Sequence, residues 1–125
     1  MLNRTRTLIA GIAVFSIFAT SAFAATGTAD KPLNSSKSVE SVSIQGTGGT
    51  GTQYTNLYAG TGKGTGKLYK FRRFWPDQHL NTHDVASGKG PFSLTYSFTT
   101  EWDAAYNVVA DGDSSAGIRT SIVIN

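Results

Sequence analysis

Cysteine is missing altogether, methionine occurs once and proline three times. Without a thiol the chain has no disulfide framework, no thiolate zinc site, no iron–sulfur cluster and no cysteine nucleophile. Charge is sparse as well, with Asp, Glu, Lys and Arg making up 15% of the 125 residues. Acids are absent from the whole stretch Ser41 to Pro76. Past residue 24 no run is apolar enough to cross a hydrocarbon core of about 30 Å. Nor does any 11-residue window there keep a 3.6-residue apolar period, which argues against a helical bundle. The length allows one domain at most. What is plentiful is serine, threonine, glycine and asparagine, a composition suited to a β-rich exported domain.

The N-terminal segment reads as an address. Arg4 and Arg6 precede an apolar run of 12 residues, Leu8 to Ala19, and Ala22-Phe23-Ala24 puts small residues at −3 and −1 of a cut after Ala24. That is the layout of a signal peptide, and the run is too short for a permanent anchor. The sequence therefore predicts a signal peptide over 1–24, a flexible leader over 25–37 and a single β-domain over 38–125. The product is expected to be secreted, extracellular or periplasmic, with no integral membrane segment after cleavage.

Cleavage changes the charge balance. Losing Arg4 and Arg6 takes the 11 cations to 9, against 8 acids. The distribution is lopsided. Lys63, Lys67, Lys70, Arg72 and Arg73 fall in the acid-free stretch, whereas Asp77, Asp84, Glu101, Asp103, Asp111 and Asp113 follow it with only Lys89 and Arg119. Such asymmetry marks either an anionic partner or two halves that pair with each other in the fold.

Period-two alternation supplies the strands. Phe92, Leu94, Tyr96 and Phe98 alternate with Ser93, Thr95, Ser97 and Thr99, which predicts a strand with one apolar and one polar face. Residues 40–45 place Val42 and Ile44 on one side. Residues 68–75 (LYKFRRFW) form an aromatic strand, and residues 53–59 a weaker one. Residues 105–110 and 118–124 form a pair joined by the turn-rich 111–117. The fold class expected is all-β, a small antiparallel sandwich or partly closed barrel of about six strands. Eight of the 14 glycines lie between Gly46 and Gly66, and this segment is expected to form flexible arms beside an aromatic surface.

Several motifs fail on inspection. Gly46-Thr-Gly48-Gly-Thr-Gly51 matches a dinucleotide fingerprint, but no acid follows at the ribose-binding distance. Residues 60–67 (GTGKGTGK) miss the glycine and the Ser/Thr of a phosphate loop at Thr61 and Leu68. Asp111, Asp113 and Ser115 have calcium-loop spacing, yet Ala116 and Ile122 stand where glycine and glutamate belong. No cofactor is expected. His79 and His83, flanked by Asp77 and Asp84, offer imidazole and carboxylate for metal or acid–base work, but no third ligand stands at a suitable spacing and a solvated strand-to-strand loop accounts for them better. Glu101 and Asp103 form a carboxylate pair at a strand end.

The stretch most suited to a partner is residues 67–75, where aromatic and large apolar side chains alternate with cations. Rings next to guanidinium groups stack on sugars and pair with phosphate, sulfate or carboxylate. Tyr54, Tyr58, Tyr69, Lys70, Arg72, Arg73 and Trp75 are the expected ligand-binding residues; the alternative is that the rings are core and the cations snorkel around them. The leading function is a non-enzymatic exported β-domain that binds an anionic or carbohydrate-containing ligand such as a cell-envelope polymer. Nucleic acid is disfavoured as a partner. The alternatives are a secreted antibacterial protein or toxin, and a small secreted hydrolase or nuclease using His79 and His83.

Overall fold

A computed structural model describes residues 24–88 and 90–125 of the chain; the expected signal peptide falls almost wholly outside the described residues. These form nine strands and no helix: β1 (Ala25–Lys31), β2 (Val39–Glu40), β3 (Ile44–Gln45), β4 (Thr50–Gly60), β5 (Lys63–Arg72), β6 (Gln78–Ala86), β7 (Ser93–Thr99), β8 (Ala104–Gly112) and β9 (Ala116–Ile124). Two antiparallel sheets result. Sheet A has the order β1-β9-β4-β7; sheet B has β2-β8-β5-β6, with β3 also on β8. The architecture is a β-sandwich, as the alternation in the sequence predicts. Among the described residues no helix is long and apolar enough to cross a membrane.

The core lies between the sheets. Ile118, Ile122 and Ile124 of β9 meet Leu68 of β5 and Tyr106, Val108 and Ala110 of β8, all at most 1% exposed. Burial of this kind stabilises by about 25 cal/mol per Å2 of apolar surface. The glycine segment is not a pair of flexible arms. Gly51 and Gly66 sit inside strands, because a Cβ on Gly66 would lie 2.4 Å from Thr55 Oγ1 and one on Gly51 would lie 2.5 Å from the Phe98 ring. At Gly66 the missing side chain lets the two sheets approach, and at Gly51 it makes room for the Phe98 ring of the neighbouring strand β7.

Other expectations are corrected. Residues 25–31 are not a leader but β1, pairing with β9 from Ala25↔Ile124 to Lys31↔Ile118, with every second residue buried. Small residues and Gly27 hide the pattern in the sequence. Lys31 closes this strand fully buried, and its Nζ donates to the carbonyls of Pro32 (2.9 Å), Asp113 (2.8 Å) and Ser35. The strands β8 and β9 do not pair with each other; the turn between them carries the chain from sheet B to sheet A. Val42 is exposed while Ser41 and Ser43 are buried, since a break between β2 and β3 shifts the alternation. Leu94, Tyr96 and Phe98 pack on the core, but Phe92 precedes β7 and is exposed.

Candidate functional site

The loop expected over residues 77–84 is the strand β6, which pairs with β5. Its register slips at Leu80, so that Asn81 faces Leu68 while His79 faces Tyr69. This bulge places the two histidines on opposite faces of sheet B. His79 meets the Tyr69 ring at 5.5 Å on the outward side. His83 points inward, 6% exposed, opposite Gly66. The pair therefore cannot converge on one metal ion or one reacting atom. Among the described residues no His, Asp and Glu side chains gather in a set of three around a metal-sized space.

His83 belongs instead to a polar island in the core. Its Nδ1 lies 2.9 Å from Thr55 Oγ1, which is 2.8 Å from Thr120 Oγ1. Gln53 Nε2 donates to the Gly66 carbonyl at 3.1 Å, and Asn81 Nδ2 donates to Gln53 Oε1 at 3.0 Å. A buried polar network of this kind is tolerated only when its members are satisfied. Desolvation lowers the His83 pKa below its ordinary value of 6.5, with the Asp84 charge acting in the opposite direction. The unfolded chain thus binds the proton more readily than the folded one. Stability from His83 is complete above pH 6.5 and falls as the pH drops through the folded-state value. Urea midpoints measured between pH 7.5 and pH 5 should decline less steeply for His83→Asn than for the parent, on pH values chosen to bracket the imidazole.

The expected binding residues separate into three places. Tyr54 lies on the outward face of sheet A, paired with Thr95 and Ser121. Tyr58 lies towards the far end of the same strand, with the Arg119 guanidinium 4.6 Å from its ring centre and Arg119 bound to Asp30 at 2.8 Å. A hydrogen bond with Asp30 raises the Tyr58 pKa. Neither tyrosine extends the surface of β5, because β4 and β5 belong to different sheets. Tyr69 is on the outward face of sheet B. The remaining four, Lys70, Arg72, Arg73 and Trp75, do come together, at the end of the sandwich where β5 finishes.

This end is built by strand pairing. Arg72, the last residue of β5, stands beside Ala104, the first of β8. That pairing sets the β5–β6 turn (73–77) next to the β7–β8 turn (100–103). The turns present Phe74, Trp75 and Trp102 at 95%, 67% and 75% exposure. Trp102 carries no strand or cation-run signal and was invisible to sequence reasoning; a tryptophan inside a polar turn (Glu101-Trp102-Asp103) is the one hint of it. Phe74 adopts φ +66°, a left-handed conformation unfavourable for an aromatic residue by about 1–2 kcal/mol. The Arg73 guanidinium lies 5.5 Å from the Phe74 ring centre.

The same end of the sandwich carries an ion-pair cluster. Lys70 Nζ and Arg72 Nη2 both contact the Glu101 carboxylate, and Arg72 Nε is 3.9 Å from Asp103 Oδ1. The Glu101 amide donates to Tyr106 Oη at 2.8 Å, and desolvation pushes the Tyr106 phenol up to about 12. Burial, then the adjacent Arg72 charge, lowers the Lys70 pKa. The Gln45 side chain donates to the Trp102 carbonyl, and Thr100 ties its amide and hydroxyl to the Gly49 carbonyl, each at 2.8 Å. Trp102 thus stands on a turn held from four sides. Of the three cations of the acid-free stretch at this end, Lys70 and Arg72 are matched by acids of the other half, while Arg73 lies over the Phe74 ring. Internal pairing accounts for this part of the charge asymmetry.

No protein-family model matches the sequence, and no curated protein matches it. Solved structures do share the fold. A subunit from the study of Bacillus endospore appendages, described as disulfide-linked pili, is 14% identical over 82% of this chain and 86% of its own, with a TM-score of 0.50. The Yersinia pseudotuberculosis-derived mitogen is 16% identical over 82% and 86%, with a TM-score of 0.45. The module TmCBM61, solved with β-1,4-galactotriose, is 10% identical over 74% and 63%, with a TM-score of 0.43. At these identities the likeness is one of fold, the β-sandwich.

Proposed function

We propose that the protein is an exported, non-enzymatic module that binds carbohydrate of a cell-envelope or extracellular polymer at its aromatic tip. The observation that carries this reading is the convergence of Phe74, Trp75 and Trp102, the three most exposed large apolar side chains among the described residues, on two adjoining turns. Each ring left in water forgoes about 1.5–3 kcal/mol of burial energy. An exposed apolar patch rimmed by polar groups is the mark of an interaction surface. Sugar rings suit it, because their apolar faces stack on indole, and their hydroxyls accept hydrogen bonds from Arg72 and Arg73 and donate them to Glu101 and Asp103 at the rim. The firm anchoring of the Trp102 turn lowers the ordering cost of binding.

Charge counts for less than the sequence suggests. Lys70 and Arg72 are both engaged by Glu101, and Arg72 also stands near Asp103. The reading therefore favours a neutral glycan over the polyanion expected from the cation run. Electrophoresis of the purified protein through gels holding soluble neutral polysaccharides, or polygalacturonate, tests it at about 50 mM and about 500 mM salt. Retardation by at least one neutral polymer, unchanged by salt, is expected. Retardation by polygalacturonate alone and only at low salt, or by no polymer, would overturn the reading.

A further inference from the structure

The four sheet edges are guarded unequally. Sheet A ends in β1 and β7, sheet B in β2 and β6. The strand β1 carries Asp30 and Lys31, β2 is two residues long and includes Glu40, and β6 is bulged at Leu80 and carries Asp84. Charge, brevity and bulges are the means by which sheets prevent edge-to-edge pairing. The strand β7 has none of them. Its seven residues, SLTYSFT, contain no charge and no proline, and they pair with β4 in unbroken register from Asn56↔Ser93 to Thr50↔Thr99. Among the described residues no strand lies on its other side.

The core is also open along this edge. The inward residues Leu94, Tyr96 and Phe98 are only partly buried, whereas Ile118, Ile122 and Ile124 of β9, in the middle of the same sheet, are at most 1% exposed. A further strand beside β7 would complete the sheet and cover these rings.

The sequence of β7 matches its own reverse. Antiparallel pairing of two such strands centred on Tyr96 sets Ser93 opposite Thr99, Leu94 opposite Phe98 and Thr95 opposite Ser97, with Tyr96 facing its own copy. Apolar side chains then meet on the inward face and hydroxyls on the outward face, the register that a half-buried sheet demands. The geometry points to a second copy of this chain as the occupant, paired β7 to β7 about a two-fold axis at Tyr96, so that the two sheets A become one continuous sheet. This pairing rests on the edge alone and stands apart from the glycan reading. It has a consequence for that reading, however. The tip follows the C-terminal end of β7, so antiparallel copies direct their tips away from each other, and the dimer bridges two polymer chains.

Sedimentation velocity of the purified protein over rising concentration tests this, with two double variants beside it. Thr95 and Ser97 are exposed on the outward face, so Thr95→Lys/Ser97→Lys and Thr95→Glu/Ser97→Glu leave the core alone while setting like charges opposite each other at the two-fold. The parent is expected to dimerise, each variant to stay monomeric with an unchanged circular-dichroism spectrum, and a mixture of the two variants to recover the dimer. A parent that stays monomeric up to about 1 mM, a lysine variant that dimerises as well as the parent, or a mixture that stays monomeric would overturn the proposal.

Discussion

Lys31→Met should lower the stability of the folded protein by about 3 kcal/mol and its thermal midpoint by about 10–20 °C. The substitution keeps the length of the side chain and removes the ammonium group. Three carbonyls, of Pro32, Ser35 and Asp113, then lose their donor. A buried acceptor left without a partner costs about 1–3 kcal/mol, and these carbonyls, being only partly buried, fall at the low end. The Asp113 carbonyl belongs to the β8–β9 turn and the other two to the connection after β1, so the lysine joins segments distant in sequence. Total stabilities of such domains are about 5–15 kcal/mol, which makes the loss severe. Urea and thermal unfolding followed by circular dichroism measure it. A change below about 0.5 kcal/mol would show that water replaces the ammonium group at no cost.

The second large effect falls on binding. Trp75→Ala and Trp102→Ala should each weaken glycan affinity about tenfold, and the double variant about a hundredfold, equivalent to about 1.4 kcal/mol for each factor of ten. Stability should change by less than about 1 kcal/mol, because both indoles are mostly in solvent already. A core tryptophan would instead cost about 3–5 kcal/mol. Isothermal titration calorimetry and urea unfolding on the same preparations separate the two effects. Arg72→Gln should act differently: it leaves Glu101 with Lys70 alone and loosens the turn beneath Trp102, so that stability and affinity fall together.

The fold could be read from the sequence where burial and chemistry coincide. In β7 the inward residues are Leu94, Tyr96 and Phe98, and the alternation is plain. In β6 the inward residues include Asn81 and His83, which join a polar island with Gln53, Thr55 and Thr120; an apolar period cannot reveal a strand whose core face is polar. In β1 the inward residues are Ala25, Gly27, Ala29 and Lys31, too small or too charged to register as core. The site divides in the same way. The exposed Arg73 and Trp75 and the ion-paired Lys70 and Arg72 do lie together, since one strand and its following turn carry them. Tyr54 and Tyr58 lie elsewhere because adjacency in sequence crosses from sheet A to sheet B after Gly60. Trp102 joins the tip only through the Arg72↔Ala104 pairing, a contact between residues 32 apart in the chain that no local pattern encodes.

Both tryptophans of the chain, Trp75 and Trp102, stand at the proposed tip, so indole fluorescence reports on that surface alone. Titration of the purified protein with a glycan that retards it in the gel is therefore the most direct measurement of where binding occurs. A blue-shifted emission and reduced quenching by acrylamide, saturating at the affinity found by calorimetry, are the predicted result. Calorimetric binding of the same glycan with unchanged emission and unchanged quenching would place the ligand elsewhere and contradict the assignment of the tip.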